Sequence, residues 1–407
     1  MEDHAWKDLV MLLYLSIFLI PLIYYFASKV NPQLGRSKAI CGFIFLFLGL
    51  FIGLGDMQGG YDRYIYCAYF DGLADDIRNN DFWSSYGKEY GYSLFNWLIA
   101  HFTMNRYIFV LIATLTMYIL YYRAFVKYLE DYPLAMLVFM GLLYYFTMTY
   151  LRQTLAVGFA WQACEYAYKR KPLPFIAWML LAFSFHNSAI IFAIMYFIPL
   201  KKFSKNTVIS MMVILFLVGL TPIASWAMMV FGDMANSQGR TSSYAEDSYG
   251  YNFGYLLVSV FFAYIISHNS RLIDNKRKNV FFYNMGLMYC AVLLALIRFG
   301  QTGRLGWYFM LGLIYTLSLI ARRSSLKSNM RTFVIALSFL MFFRITYYWN
   351  FNLSPYKTFL SNGYPCGELY IYEENEYNEH YTGDKFYRPA IDLCNNVDLK
   401  MTKSTYE

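Results

Sequence analysis

Charge is what this sequence has least of. Only 15% of its 407 residues are Asp, Glu, Lys or Arg, against 58% hydrophobic, and mean hydropathy is +0.34. A soluble globular chain carries about 25% charged residues. The deficit runs along most of the length, which excludes a soluble enzyme held by one anchor. Histidine is rare at five residues, and the six cysteines (Cys41, Cys67, Cys164, Cys290, Cys366, Cys394) show no CxxC or other ligand spacing. No metal site is therefore expected, and most of these thiols are expected to be buried and free. Cys366 and Cys394 lie in the polar carboxy-terminal stretch and could pair in an oxidising compartment. Glycine-rich phosphate loops, serine nucleophile elbows and dinucleotide fingerprints are missing. So is a small-residue cleavage site after the apolar run 9–27, which reads as a retained span. No internal repeat is evident, which argues against a transporter built from inverted halves.

What remains is apolar runs separated by basic clusters. Candidate membrane segments are 9–27, 39–54, 107–122, 134–150, 154–168, 173–200, 208–231, 253–267, 280–297, 305–320 and 333–347. The run 91–103 would cover only about 20 Å as a helix and reads as half-inserted or interfacial. The expected fold is all-α: a polytopic helical membrane protein of about 10–12 membrane segments, re-entrant or half-inserted helices included. Residues 1–348 form the membrane domain, with external loops at 55–90 and 232–252. Residues 349–407 form a polar, extracytoplasmic tail.

The net charge of +8 sits in clusters between the runs: Lys29, Arg36 and Lys38; Lys169 to Lys171; Arg271 with Lys276 to Lys278; Arg322, Arg323 and Lys327. Cytoplasmic loops look like this, and no nucleic-acid partner is implied. If 173–200 crossed once, Lys201, Lys202, Lys205 and every later cluster would be external. If the chain turns back at His186-Asn187-Ser188, all of them are cytoplasmic. Two arms of about 13 residues, near 20 Å each, are too short to cross a core of about 30 Å. A re-entrant hairpin with His186 near its tip is the expectation.

Polar groups inside such runs are candidates for function, because hydrocarbon solvates them poorly. Arg152, Arg298 and Arg304 lie in or at the edge of apolar segments. A guanidinium at bilayer depth costs about 2.5–3.5 kcal/mol on insertion scales, and it can grip two phosphate oxygens at once. The plainer reading is snorkelling to headgroups from a helix end. Arg344 reads as an ordinary buried or interfacial partner. His186 could serve as a general base or as a donor to a phosphate or sugar oxygen, or it could be a satisfied structural group. Gln153 and Ser188, close to Arg152 and His186 in sequence, are expected to support them. The carboxylates Asp56, Asp62 and Glu89 lie near membrane segments among tyrosines. Such groups suit sugar hydroxyls and proton transfer, whereas Asp71, Asp75, Asp76 and Asp81 read as an ordinary solvated loop.

The order Gly55-Asp56, Tyr61-Asp62-Arg63-Tyr64, Glu89-Tyr90-Gly91-Tyr92, Leu151-Arg152-Gln153-Thr154, Phe185-His186-Asn187-Ser188-Ala189, Arg304-Leu305-Gly306-Trp307-Tyr308-Phe309 and Ser354-Pro355-Tyr356-Lys357 resembles the EpsG family of bacterial multi-spanning proteins. That family serves exopolysaccharide and capsule synthesis and is regarded as Wzy-like polymerases. The resemblance implies a glycosyltransferase of the bacterial cytoplasmic membrane that joins undecaprenyl-diphosphate-linked oligosaccharide repeat units into exopolysaccharide, capsule or O-antigen on the outer side. On that reading Arg152, Arg298 and Arg304 bind the diphosphate. Asp56, Asp62 or Glu89 act as base and sugar contacts, and His186 positions the acceptor or bridges to phosphate. No cofactor is needed, because the donor is already activated; a flippase and a chain-length regulator are candidate partners. Alternatives are a lipid-linked oligosaccharide flippase or polysaccharide transporter, a membrane sugar O-acyltransferase, a lipid-to-polymer ligase, and a non-catalytic assembly subunit.

Overall fold

The computed structural model describes residues 2–55, 61–78, 89–223, 226, 251–325 and 329–349, with single positions at 353, 356, 358 and 360. Asp56, nearly all of 232–252, most of the tail, Cys366 and Cys394 lie outside the described residues. Among the described residues regular structure is helical, apart from one isolated bridge between Gly55 and Thr358.

In chain order the α-helices are α1 (Glu2–Val30), α2 (Lys38–Gly53), α3 (Tyr61–Arg78), α4 (Tyr90–Ala100), α5 (Arg106–Tyr128), α6 (Tyr132–Leu142), α7 (Phe146–Thr149) and α8 (Leu151–Tyr168). Then follow α9 (Pro172–Phe185), a 3-10 helix (Asn187–Tyr196), α10 (Lys205–Leu220), α11 (Phe253–His268), α12 (Arg277–Ala295), α13 (Thr302–Gly306), α14 (Met310–Arg323) and α15 (Met330–Tyr348). Polar caps start several of them. Ser37, Asn105, Asp131, Ser204 and Asn252 each accept a backbone N–H from the first turn that follows. Pro133 and Pro172 sit where a missing N–H costs nothing. Arg170, at φ 55°, closes α8, with Lys171 N–H reaching back to Tyr166 O at 2.9 Å.

Among the described residues four helical stretches are long and apolar enough to cross a membrane: Met11–Val30, Arg106–Tyr128, Thr302–Arg323 and Met330–Tyr348. Six shorter apolar helices accompany them, the longest of 16 residues. At 1.5 Å per residue these reach no more than about 24 Å, short of a hydrocarbon core of about 30 Å. Among the described residues, then, some of the apolar runs form helices of full spanning length and others form shorter ones. The run 134–150 is broken into α6 and α7, and the region 55–90, read as a loop, contains α3.

Exposed faces carry apolar stripes at helical spacing: Leu12, Leu19, Ile23 and Phe26 on α1; Ile209, Val213 and Leu217 on α10; Leu257, Val260, Phe261 and Tyr264 on α11; Phe333, Leu340, Phe343 and Tyr347 on α15. Water would reject so much contiguous apolar surface, and lipid accepts it. Arg344 is exposed on α15, with its guanidinium over Tyr348. The centre is α6 and α14. Every residue of α6 is buried, as is α14 from Met310 to Ala321, as expected of helices apolar all round. α14 crosses α12 so closely that a Cβ on Gly312 would lie 2.4 Å from Gly286 N. Cys41, Cys67, Cys164 and Cys290 are buried thiols not joined in disulfides.

Basic clusters gather at one end of this bundle. Lys127 and Lys169 both pair with Glu165. Arg322 meets Glu130 at 2.6 Å and Arg323 meets Asp274 at 3.3 Å. Lys278 Nζ donates to Tyr128 O at 3.1 Å, and Lys202 Nζ to Ile273 O at 2.6 Å. The segment 173–200 folds back on itself to join them. Phe175, early in α9, and Tyr196, ending the 3-10 helix, pack with ring centroids 5.0 Å apart. Arg170 Nη2 donates to Ile198 O at 2.6 Å. The chain turns at His186, and Lys201 to Lys205 return to the end where Lys169 to Lys171 lie.

Candidate functional site

The turn of this hairpin lies at the opposite end from the basic clusters. α9 stops at Phe185, and His186 is extended (φ −156°, ψ 122°) before the 3-10 helix begins. α4 packs against the end of α9 at Gly91, where a Cβ would lie 2.1 Å from Ser184 Oγ and 2.8 Å from Ser184 Cβ. Only glycine permits that approach. It brings Glu89, the residue before α4, onto the hairpin turn: Glu89 Oε1 accepts from Asn187 N–H at 3.2 Å. The other oxygen, Oε2, takes Arg152 Nη1 at 2.6 Å. Arg152 stands in the first turn of α8, its guanidinium over the rings of Tyr66 at 5.3 Å and Tyr92 at 5.7 Å.

A second pair lies beside the first. Arg304, in α13, donates from Nη2 to Asp62 Oδ2 at 2.7 Å, and Nη1 lies 3.4 Å from Gln301 Oε1. Its guanidinium sits 3.9 Å from the ring centroid of Tyr150. Gln153 links the two halves, with Nε2 3.0 Å from Arg304 O and 3.4 Å from Ser188 Oγ. Ser188 Oγ is in turn 2.7 Å from His186 Nδ1 and 2.9 Å from Tyr308 OH. Tyr308 is fully buried, its carbonyl accepting from Trp161 Nε1 at 3.0 Å. Asp62, Glu89, Arg152, Gln153, His186, Ser188 and Arg304 therefore form one connected network drawn from five stretches of chain.

The side chains of Arg152 and Glu89 are 20% and 13% exposed, and those of Arg304 and Asp62 are 21% and 30% exposed. Charges so far out of water must be paired. Among the described residues each of these two guanidiniums is paired with one carboxylate, while presenting a group that favours anionic oxygens.

Arg298 stands apart. Its Nη1 reaches Leu220 O at 3.4 Å and its guanidinium lies 5.6 Å from the Tyr251 ring. Among the described residues no contact joins it to the Arg152 and Arg304 network. Asp56 lies outside the described residues. Groups that sequence reasoning passed over are Tyr66, Tyr92, Tyr150, Tyr308 and Arg63. Arg63 is 1% exposed and donates from Nη2 to Ile52 O and Gly55 O, both at 3.0 Å, tying the start of α3 to the end of α2. The sign was an arginine next to Asp62 in Tyr61-Asp62-Arg63-Tyr64. The aromatics gave no separate sign, being submerged among 41 tyrosines.

Fold and site together define a helical membrane protein with ion-paired arginines around a broken hairpin. Residues 38–358 match the family model of the EpsG family, and the chain belongs to that family, the family of Wzy-like polymerases. It is a multi-pass membrane protein of polysaccharide biosynthesis. Nothing among the curated proteins or the solved structures matches it.

Proposed function

We propose that this protein polymerises undecaprenyl-diphosphate-linked oligosaccharide repeat units by glycosyl transfer on the outer side of the bacterial cytoplasmic membrane. The basic end of the bundle then faces the cytoplasm, and 173–200 is a re-entrant hairpin whose tip meets the substrate. The observation that carries this reading is the convergence of Arg152–Glu89 and Arg304–Asp62 on that tip.

In the reaction an acceptor hydroxyl oxygen bonds to the anomeric carbon of the donor sugar. The bond from that carbon to the phosphate oxygen breaks, the electron pair leaves with the diphosphate, and the hydroxyl proton passes to a carboxylate. Arg152 and Arg304 hold the diphosphate and stabilise the charge that grows on it. Arg298 is a third cation for the same role only if substrate binding draws it inward. Asp62 is the better base: both oxygens of Glu89 already take donors from Arg152 and Asn187, whereas the described contact of Asp62 is on Oδ2. Glu89 orients Arg152 and the turn. No nucleotide is required, since the leaving diphosphate supplies the activation. A flippase delivering the donor and a regulator of chain length are fitting partners.

The test is purified protein in lipid nanodiscs, supplied with lipid-diphosphate repeat units. A ladder of lengthening products that Arg152→Ala abolishes is the expected result. Unchanged single units with folded wild-type protein would refute the polymerase reading.

A further inference from the structure

We infer that Trp349 and Tyr356, which follow the last membrane helix, are positioning residues for the Asp62–Arg304 pair; this rests on the glycosyl-transfer reading above. Each partner of the pair is held from behind by a chain of contacts, and both chains end in the segment after α15. On the Asp62 side the first link is Arg63, which donates from Nη2 to Ile52 O and Gly55 O, both at 3.0 Å, and so sets the start of α3 against the end of α2. The end of α2 is covered in turn by Tyr356. Its ring lies parallel to Phe51, 4.3 Å between centroids and 4° between planes, and its hydroxyl donates to Phe51 O at 2.9 Å. Tyr14 of α1 meets the same ring edge-on at 6.1 Å, and the isolated bridge joins Gly55 to Thr358.

On the Arg304 side the links are aromatic. The guanidinium lies 3.9 Å from the Tyr150 ring centroid, Tyr150 packs on Trp307 at 5.0 Å, and Trp307 stacks on Phe146 at 4.7 Å. Trp349, the residue after α15, meets Phe146 edge-on at 5.7 Å. Leu353 N–H donates to Trp349 O at 3.1 Å and the Leu353 side chain is buried, which ties the two anchors into one segment. Such bracing has a physical reason. Arg304 stands on α13, which has five residues, and a helix that short holds its place only through its neighbours. Asp62 is in the first turn of α3, where its direction depends on how the helix leaves α2. A base or a cation that drifts by about 1 Å can lose about 100-fold in rate. The segment 349–358 thus touches neither carboxylate nor guanidinium, yet fixes where both stand.

Two measurements on the full-length protein test this. In the nanodisc assay Tyr356→Ala should lower turnover about 10-fold without raising KM for the lipid-diphosphate unit, and Tyr356→Phe, which keeps the stacked ring, about 3-fold. Added to Asp62→Asn, either change should lower turnover no more than about 2-fold further, because the group it positions no longer takes the proton. Trp349→Ala should raise KM about 10-fold, with Trp349→Phe recovering most of it. Full turnover in folded Tyr356→Ala, or losses that multiply undiminished with Asp62→Asn, overturn the inference; if Tyr356→Ala does not fold, Tyr356→Phe carries the same comparison. The second measurement needs no polymer. Asp62→Asn should remove at least about half of the drop in unfolding temperature that Tyr356→Phe causes, whereas Gly312→Ala, at the α12–α14 crossing, should leave that drop unchanged. Drops that simply add in both backgrounds overturn the inference. A wild type that yields only single units would sink the polymerase reading alone, and the unfolding comparison would still decide this one.

Discussion

Glu89 and Arg152 meet at 2.6 Å across a separation of 63 residues, and the second oxygen of Glu89 takes the amide of Asn187. One carboxylate thereby ties α4, α8 and the hairpin turn into a single unit. Removing one partner of a pair this shielded leaves an uncompensated charge, which costs about 3–5 kcal/mol in a buried setting. Stability and chemistry are therefore entangled at this position, and simple truncations will not separate them.

A charge swap does separate them. Arg152→Glu and Glu89→Arg should each abolish the product ladder and lower thermal stability. The double variant should recover much of the stability but none of the polymer, since the guanidinium then hangs from α4 rather than α8. Thermal unfolding and the ladder assay check the two halves. Restored polymer would mean that Arg152 only braces the fold.

The two carboxylates should differ in what they cost when neutralised. Asp62→Asn should slow chain growth about 100-fold or more without weakening substrate binding, as expected for loss of a base that also competes for Arg304. Glu89→Gln should act chiefly through stability, visible as a lower unfolding temperature. Equal defects in both variants would remove the distinction drawn between them.

Gly91 sets the distance between α4 and α9. Gly91→Ala should reduce chain growth at least about 10-fold by pushing Glu89 off Asn187, within the range seen when a positioning group shifts by about 1 Å. Ser184→Gly in the same chain should restore most of it, because the two atoms nearest a new methyl are then gone, leaving Phe185 Cδ2 at 3.1 Å. Failure of that rescue would place the defect elsewhere.

Away from the site, Gly312→Ala should destabilise the bundle by about 1–3 kcal/mol, since the added methyl meets the backbone of α12 rather than a movable side chain. Chain growth per folded molecule should be unchanged. Unfolding in detergent, compared with the activity of the folded fraction, measures both.

Cysteines introduced at Lys171 and Lys205 should label from the same side of the membrane, since α9 and the 3-10 helix return the chain to its starting end. The buried thiols of Cys41, Cys67, Cys164 and Cys290 should stay silent, and Cys366 and Cys394 are replaced beforehand. Labelling from opposite sides would make 173–200 a single crossing.

Much of this architecture was legible because insolubility in lipid is a strong signal. Arg152, His186 and Arg304 stood out from apolar runs, and the same-side parity of the basic clusters pointed to a turn at His186. Pairing was less legible. Nothing in sequence spacing says that Glu89 serves Arg152 or that Asp62 serves Arg304, since 63 and 242 residues intervene. Arg298 looked equivalent to the other two arginines by context, yet a turn of a few residues sends it toward Leu220 and Tyr251. α3 was missed because its buried face, Tyr64, Cys67, Phe70 and Ala74, is short and interleaved with acids. Tyr308 was hidden by company: Trp307, Tyr308 and Phe309 together read as interfacial aromatics, and only the serine beside it reveals its hydroxyl as part of the network.

The two arginines rest against carboxylates that belong to the chain itself. On the proposed reaction, the protein therefore carries stand-ins for the very groups that the two arginines would hold during a cycle. A newly made chain can enter the bilayer with this region electrically silent. In that proposed reaction an arriving lipid carrier must evict an internal anion to be held, so selectivity would arise from an exchange of partners: a weakly charged headgroup would not dislodge Glu89 or Asp62, whereas a doubly phosphorylated one could.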